Sequence, residues 1–207
     1  KGLAGISAPD FIYQIQDDLG DEYVKLKRLL VNIDSAPVLG GNKVDLYTSG
    51  KDKFEQLFND IRNAREHIHI LYYKIGNDKV GNCLKNLLIE KVKEGVEVRL
   101  IDDGVGWLQT KGRFFKEMEE GGVQVACLLP IRFPYFARRV NYRNHRKIVV
   151  IDGNIGYIGG INVEDCYIRG VKWGVWCDLA IRIQGKGVYG LQFAFLTDWY
   201  YARKESI

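Results

Sequence analysis

Three side chains that suit chemistry at phosphorus lie in one stretch of the sequence: His145, Lys147 and Asn162. A neutral imidazole can attack phosphorus, and an ammonium and a carboxamide can donate hydrogen bonds to the charged oxygens of a phosphodiester. His145 and Lys147 are two residues apart, so a β-strand would place both on one face. Gly159 and Gly160 leave room for a close approach to the backbone. The pattern predicts displacement at a phosphodiester through a histidine nucleophile.

A hairpin signal explains how these residues can meet. Residues 147–151 and 155–158 are rich in β-branched side chains and flank the sequence Asp152-Gly153-Asn154. An Asp-Gly pair between two such runs is typical of a tight hairpin turn. Reversal of the chain at this turn brings Asn162 back beside His145. The position of Asp152 at the turn indicates that it supports the hairpin.

Strands and helices are predicted in alternation over most of the chain. Besides the hairpin, the apolar spacing predicts strands at 44–47, 67–75, 96–101, 123–128 and 179–183 and helices at 51–65, 79–94, 112–120 and 187–203. This order predicts an α/β fold with a mixed β-sheet flanked by helices. Residues 10–33 also have helical spacing. We therefore expect an N-terminal helical extension and linker (1–43) before the α/β domain (44–207).

No group of residues has the spacing of a metal site. His67 and His69 share a strand face, but no Cys, Asp or Glu lies at matching spacing, so they are predicted to belong to a packed strand. Asp102-Asp103-Gly104, at the end of a strand, is predicted to be a turn. Neither a metal nor another cofactor is expected.

The positive charge of the chain is concentrated in one segment. Six of the 30 basic residues and none of the 26 acidic residues lie in 131–147, where they alternate with aromatic side chains. This mixture suits an anionic, partly apolar partner such as a phospholipid surface, with nucleic acid as the competing partner and a solvated loop as the plain alternative. The chain contains no run of about 20 apolar residues. It is therefore expected to be soluble or peripheral, although a start at Lys1 leaves an upstream anchor open.

The residues around the hairpin match the signature of the phospholipase D superfamily, the HKD motif. The signature reads HxK, four residues, D, six residues, G, G or S, x, N, and it is complete here: His145, Lys147, Asp152, Gly159, Gly160 and Asn162. The flanking residues 141–144 and 162–165, together with Trp176-Cys177-Asp178, resemble the cardiolipin synthase branch of this superfamily. The resemblance implies the phospholipase D-like sandwich fold.

The resemblance also implies roles for individual residues. His145 would carry the phosphatidyl group of phosphatidylglycerol as a phosphohistidine, while Lys147 and Asn162 bind its oxygens. Asp178 would hydrogen-bond the imidazole and set its tautomer. The motif places Asp152 in the same catalytic group, and Gly159, Gly160, Arg143 and Arg146 are expected to contact the substrate. No metal is needed.

The family combines two HKD motifs, and this chain has one. A second half, from a C-terminal domain or from a homodimer partner, would supply the other histidine. The resemblance implies cardiolipin synthesis at the cytoplasmic side of the cell membrane, with nucleic acid an unlikely partner. Two alternatives stay open: a one-motif homodimeric phosphodiesterase or nuclease, and a membrane-surface module that does no chemistry.

Overall fold

The computed structural model describes residues 21–34, 38–110, 112–131, 143–172, 174, 176–205 and 207. The chain divides into two compact units at Asn42–Lys43. The N-terminal unit contains helix α1 (Asp21–Asp34), which agrees with the second half of the predicted helix over 10–33. Residues 10–20 lie outside the described residues.

The second unit contains a single mixed β-sheet. The described residues form seven strands: β1 (Lys43–Tyr47), β2 (His67–Tyr72), β3 (Glu97–Asp103), β4 (Gln124–Leu128), β5 (Ile148–Ile151), β6 (Ile155–Gly159) and β7 (Ala180–Gln184). Their order across the sheet is β1-β7-β6-β5-β2-β3-β4. Strands β2, β3 and β4 are parallel, and all other neighbours are antiparallel. The predicted mixed sheet and its central hairpin, β5 with β6, are confirmed.

The helices of this unit follow the strands in the predicted alternation. They are α2 (Gly50–Arg62), α3 (Lys79–Lys93), α4 (Gly104–Thr110), α5 (Gly112–Glu120), α6 (Cys166–Arg169) and α7 (Val188–Arg203). Helix α3 begins after Asp78, whose carboxylate accepts a hydrogen bond from the Gly81 amide and so caps the first turn. It ends before Gly95, whose φ of +90° reverses the chain without steric cost. None of the helices in the described ranges is long and apolar enough to cross a bilayer.

Helices cover both faces of the sheet, as predicted. On one face, α2, α3 and α5 bury apolar side chains such as Leu57, Leu84 and Phe115 against the sheet. On the other face, α7 buries Phe195 and Trp199 against residues of β2 to β5. Burial of each such side chain contributes roughly 1.5–3 kcal/mol. The two apolar layers therefore fix the strands and the ends of the strands, where the site lies.

The predicted turn at Asp102-Asp103-Gly104 is wrong. Strand β3 continues through Asp103, and α4 begins directly at Gly104. A Cβ atom at Gly104 would overlap the Leu129 carbonyl, and one at Gly106 would overlap the Tyr73 carbonyl. The glycines therefore let α4 cross closely over the ends of neighbouring strands. Glycine is also typical of turns, so the sequence alone does not distinguish this packing role from a turn.

Candidate active site

The sheet topology gathers the ends of many elements along one edge, which we call the site edge. The carboxyl ends of β2, β3, β4 and β6 lie there, together with the amino ends of β5 and β7. His145 and Lys147 immediately precede β5, Gly160 and Asn162 follow β6, and Asp178 precedes β7. The hairpin therefore brings the predicted reacting groups to one edge, as its turn signal indicated.

Asp152 lies at the opposite end of β5, which corrects its assignment to the catalytic group. From residue 145 to residue 152 an extended chain covers about 23 Å. The Asp152 carboxylate accepts hydrogen bonds from the backbone amides of Arg65, Glu66 and His67, at 2.9, 2.8 and 3.0 Å. Asp152 therefore anchors the hairpin turn to the start of β2, in agreement with the scaffold role that its turn position indicated.

Replacing Asp152 by alanine should destabilise the fold without removing a reacting group. Three amides lose a charged acceptor, so we expect the free energy of unfolding to fall by about 1–3 kcal/mol. Urea unfolding followed by circular dichroism measures this change. Asp152→Asn keeps one acceptor oxygen and should lose less. An Asp152→Ala protein with the unfolding midpoint of the parent would contradict the anchoring role.

His145 is exposed at the site edge and packs against an aromatic ring. Its imidazole lies 4.7 Å from the Tyr73 ring, centroid to centroid, at an angle of 54°. Partial burial and the charge of Lys147 lower the pKa of His145, although the carboxylates of Asp103 and Asp178 oppose this shift. The lowered pKa favours the neutral imidazole near pH 7, which is the form that can act as a nucleophile.

Lys147 is almost fully buried directly behind His145. Its side chain faces inward with 3% of the residue exposed. The ammonium donates a 2.7 Å hydrogen bond to the His145 carbonyl and lies 5.3 Å from the centre of the Tyr73 ring. Burial lowers the pKa of Lys147 to about 8, against the opposing attraction of Asp178. A fixed cation therefore lies next to the predicted nucleophile, as stabilisation of a charged phosphate would require.

Asn162 is a buried amide with one bond to a tyrosine. Its Nδ2 atom donates to the Tyr167 hydroxyl at 3.1 Å, and its Oδ1 atom has no hydrogen-bond partner within the described part of the chain. A tyrosine hydroxyl can donate as well as accept. Rotation of the amide would let Oδ1 accept from Tyr167 and would turn the NH₂ group to the buried position that Oδ1 occupies.

Gly159 and Gly160 make room for the start of β7, and their contact with the substrate stays a prediction. A Cβ atom at Gly159 would overlap the Leu179 carbonyl, and one at Gly160 would overlap the Asp178 carboxylate. A side-chain carboxylate can move aside, whereas a paired backbone carbonyl cannot. This difference accounts for a signature that requires glycine at the first position and accepts serine at the second.

Gly159→Ala should therefore disturb the pairing of β6 with β7. We expect the free energy of unfolding to fall by about 1–3 kcal/mol, because the methyl group meets backbone atoms. Gly190→Ala is the matched control, since a Cβ atom at that helical glycine meets no atom within 4 Å. Thermal or urea unfolding compares the two variants. Equal stability of the two would show that the overlap at Gly159 is relieved at no cost.

Asp178 lies near both reacting groups without bonding to the imidazole. Its charge opposes the lowering of the pKa of His145 and of Lys147, and its Oδ1 atom accepts a 2.7 Å hydrogen bond from the Leu179 amide. Among the residues that the structure describes, it forms no hydrogen bond with the His145 ring. Its role in setting the tautomer of His145 stays a prediction.

Arg143 and Arg146 are bonded to the protein itself, and their contact with the substrate stays a prediction. The Arg143 guanidinium donates to the Leu129 carbonyl at 2.8 Å and forms a 3.4 Å ion pair with Asp103. The Arg146 guanidinium donates to the Asp198 carboxylate at 2.7 Å. These bonds hold residues 143–147, which have no helix or strand geometry of their own.

Asp103 and Asp198 are the positioning residues that the sequence did not reveal. Asp103 accepts from the Asn144 amide at 3.1 Å, and Asp198 accepts from the Asn144 side chain at 2.8 Å. Both carboxylates are buried. The sequence offered two signals: Asp103 is a charged residue at a strand end, and Asp198 lies among the inward positions of an apolar helix. Neither signal indicated that the partner is Asn144.

His67 and His69 belong to a packed strand, as predicted. Both lie in β2, and the buried His69 ring stacks on Phe195 at 4.5 Å and is hydrogen-bonded to Gln192. Burial lowers the pKa of His69 to about 3. Within the described residues, no group of three or more His, Cys, Asp or Glu side chains is arranged to hold a metal ion.

Comparison with known proteins identifies the family. Residues 57–170 match the family described as cardiolipin synthase, phospholipase D-like domain. The chain is 41% identical over 196 residues to a cardiolipin synthase of Listeria innocua, covering 92% of this chain and 40% of that protein. It thus spans well under half the length of such curated relatives.

Solved structures share the fold at low sequence identity. Phosphatidylserine synthase of Haemophilus influenzae matches with a TM-score of 0.64 at 18% identity, over 84% of this chain and 41% of that chain. Nuc of Salmonella typhimurium, a phospholipase D family member, matches with a TM-score of 0.60 at 15% identity, over 79% of this chain and 97% of that chain. The predicted phospholipase D-like sandwich is confirmed. The chain belongs to the cardiolipin synthase family of phospholipase D-like domains.

Proposed function

We propose that this chain is one half of an enzyme that transfers a phosphatidyl group between phosphatidylglycerol molecules, which yields cardiolipin and glycerol. The observation that carries the proposal is the exposed His145 imidazole, with a lowered pKa, and the buried Lys147 ammonium, which bonds to the His145 carbonyl and lies near the same Tyr73 ring. The relatives named cardiolipin synthase indicate the substrate. The geometry indicates which groups of this half would do the chemistry.

The first displacement forms a covalent intermediate. A ring nitrogen of His145 attacks phosphorus, the bond from phosphorus to the glycerol oxygen breaks, and the phosphatidyl group remains on the imidazole. Lys147 and the rotated Asn162 amide bind the non-bridging oxygens, whose charge grows in the transition state. The departing glycerol oxygen takes a proton from an acid in the second half.

The second displacement reverses these steps with a new alcohol. A hydroxyl of another phosphatidylglycerol attacks phosphorus while the group that gave its proton to glycerol now takes the hydroxyl proton. The bond between phosphorus and His145 breaks, and the neutral imidazole is restored. Lys147 remains in place through both steps, so its buried charge needs no rearrangement.

The second half and the membrane are part of the same proposal. The described residues contribute one HKD histidine to the site edge. A C-terminal domain or a second copy of the chain would supply the other, and we call the resulting complex the two-motif assembly. The basic and aromatic segment 131–147 would face anionic lipid at the cytoplasmic surface of the membrane; its residues 132–142 lie outside the described residues.

Turnover of two substrates, together with the mass in solution, tests the proposal. The two-motif assembly should release glycerol from phosphatidylglycerol vesicles and form cardiolipin, and it should act poorly on a generic phosphodiester such as bis(p-nitrophenyl) phosphate. A dimer that prefers the generic phosphodiester would indicate a phosphodiesterase or nuclease. A monomer that binds vesicles and turns over neither substrate would indicate a surface module.

A further inference from the structure

A cavity opens beside His145 on the face of the sheet that α7 covers. Its volume is about 630 Å³, which lies within the range of about 300–1,000 Å³ typical of small-molecule sites. It is bounded by the end of β4 and the following Leu129-Pro130, by residues 143–146, and by Tyr201 and Ala202 near the end of α7. The nucleophile is part of its wall.

The Asn144, Arg146, Asp198 and Arg143 side chains in the wall are hydrogen-bonded within the protein. Asp198 accepts from Asn144 and from Arg146, and Arg143 is held by Asp103 and by the Leu129 carbonyl. The wall also carries large apolar surfaces, because Leu129 and Tyr201 are 46% and 63% exposed. Exposed apolar side chains that line one concavity indicate a site for an apolar ligand.

The backbone of Leu129, in the cavity wall, has an uncommon left-handed conformation. Leu129 has φ of +52°, a left-handed conformation that a leucine rarely adopts. The Arg143 guanidinium bonds to its carbonyl and so holds the conformation. Strained residues that the surrounding structure holds in place concentrate at ligand sites. Here the residue in that conformation lines the cavity and is half-exposed.

We propose that this cavity binds the beginning of an acyl chain of the phosphatidyl group while its phosphate lies at His145. The inference rests on the proposed function. In a phosphatidyl group the acyl chains begin a few bonds from phosphorus, so a cavity that starts at the nucleophile is within reach. The group stays on His145 between the two displacements. One bound chain would therefore orient phosphorus for both.

Two soluble ligands separate the chain-binding role from the function on which it rests. Glycerophosphoglycerol has the head group without acyl chains, and dihexanoyl phosphatidylglycerol, used below its micelle concentration, has the same head group with two short chains. Calorimetry measures their affinity for the 207-residue chain. We expect the dihexanoyl lipid to bind at least about tenfold more tightly, since burial of two methylene groups suffices for that factor.

Two variants place the chain in the cavity. Tyr201→Ser removes apolar wall, and Ala202→Phe fills the space. Each should reduce the tenfold preference for the dihexanoyl lipid to less than about threefold and leave the affinity for glycerophosphoglycerol unchanged. Tyr189→Ser is the matched control, because Tyr189 is an exposed tyrosine of α7 that does not line the cavity, and it should keep the preference.

The other possible results of the binding measurements would overturn the cavity proposal. If the parent binds both ligands equally, or if the preference survives in both cavity variants, the cavity does not hold a chain and the proposed function stands. If neither ligand binds the parent, the cavity proposal fails, while turnover by the two-motif assembly decides the proposed function separately. Because Tyr201 is exposed, its serine variant remains informative even if Ala202→Phe does not fold.

Discussion

His145→Asn is expected to lower phosphatidyl transfer by the two-motif assembly by about 10⁴-fold or more. Loss of the nucleophile removes the covalent route. In enzymes that form a covalent intermediate, the catalysis that remains without the nucleophile is slower than the parent rate by about this factor. His145 is exposed, and its ring contacts Tyr73 at the surface, so the fold should survive the change. Cardiolipin formation from phosphatidylglycerol measures the effect.

The matched control is another histidine of the same sheet. His67 lies at the opposite edge, at the start of β2, where Asp152 anchors the chain. His67→Asn should change the transfer rate by less than about threefold if the reaction occurs at the site edge. Transfer by the His145→Asn protein at a rate near that of His67→Asn would remove His145 from the mechanism.

Lys147→Met should lower the rate of transfer by about 10²–10³-fold, the usual cost of losing one fixed group that stabilises a charged transition state. Methionine fills much of the same buried space, so the loss reports the ammonium more than the packing. The stability of the variant, measured by urea unfolding, separates the two effects. A fall in rate of less than about fivefold would contradict a role for Lys147 at the phosphate.

The pH dependence of the parent follows from the same two groups. His145 acts as a nucleophile in its neutral form. Because its pKa is lowered, the rate should rise with pH through a value below 6.5. Lys147 acts as the cation with a pKa of about 8, so the rate should fall as the pH rises through that value. Lys147→Arg should move this alkaline limb upward, because a guanidinium stays protonated. An alkaline limb that is unchanged in Lys147→Arg would assign it to another group.

The central part of the fold and site could be predicted because it is local in sequence. The hairpin of β5 and β6 requires only an Asp-Gly turn between β-branched runs, and it brings Asn162 toward the amino end of β5 by itself. The proximity of His145 and Lys147 follows from their spacing of two residues alone, even though residues 143–147 do not form a strand. Neither inference needs a contact between distant segments.

The hydrogen bonds and ion pairs that hold residues 143–147 could not be predicted, because each joins segments that are distant in sequence. Asp103 bonds to Asn144 from 41 residues away, and Asp198 bonds to Asn144 from 54 residues away. No periodicity encodes such a pair. The same reason explains why the ion pairs of Arg143 and Arg146 were not predicted, since their carboxylate partners lie elsewhere in the chain.

The remaining differences between the predictions and the structure concern residue types that can serve two structural roles. A glycine can permit a turn or a close approach, and at Gly104 the close approach to Leu129 decides the structure, so a helix begins where a turn was predicted. The carboxylate of Asp152 belongs to the signature, yet its three amide partners lie at the edge opposite the nucleophile. The signature fixes the residue type, and only the topology shows the role.

The site of covalent attachment tests the central claim most directly. The two-motif assembly is mixed with phosphatidylglycerol, denatured in urea at mildly basic pH within the first turnover, which preserves both a phosphohistidine and the acyl esters, and digested for mass spectrometry. The account predicts a peptide that carries the phosphatidyl mass on His145 and loses it on exposure to acid. The same adduct found on a different residue, or turnover without any adduct on His145, would contradict it.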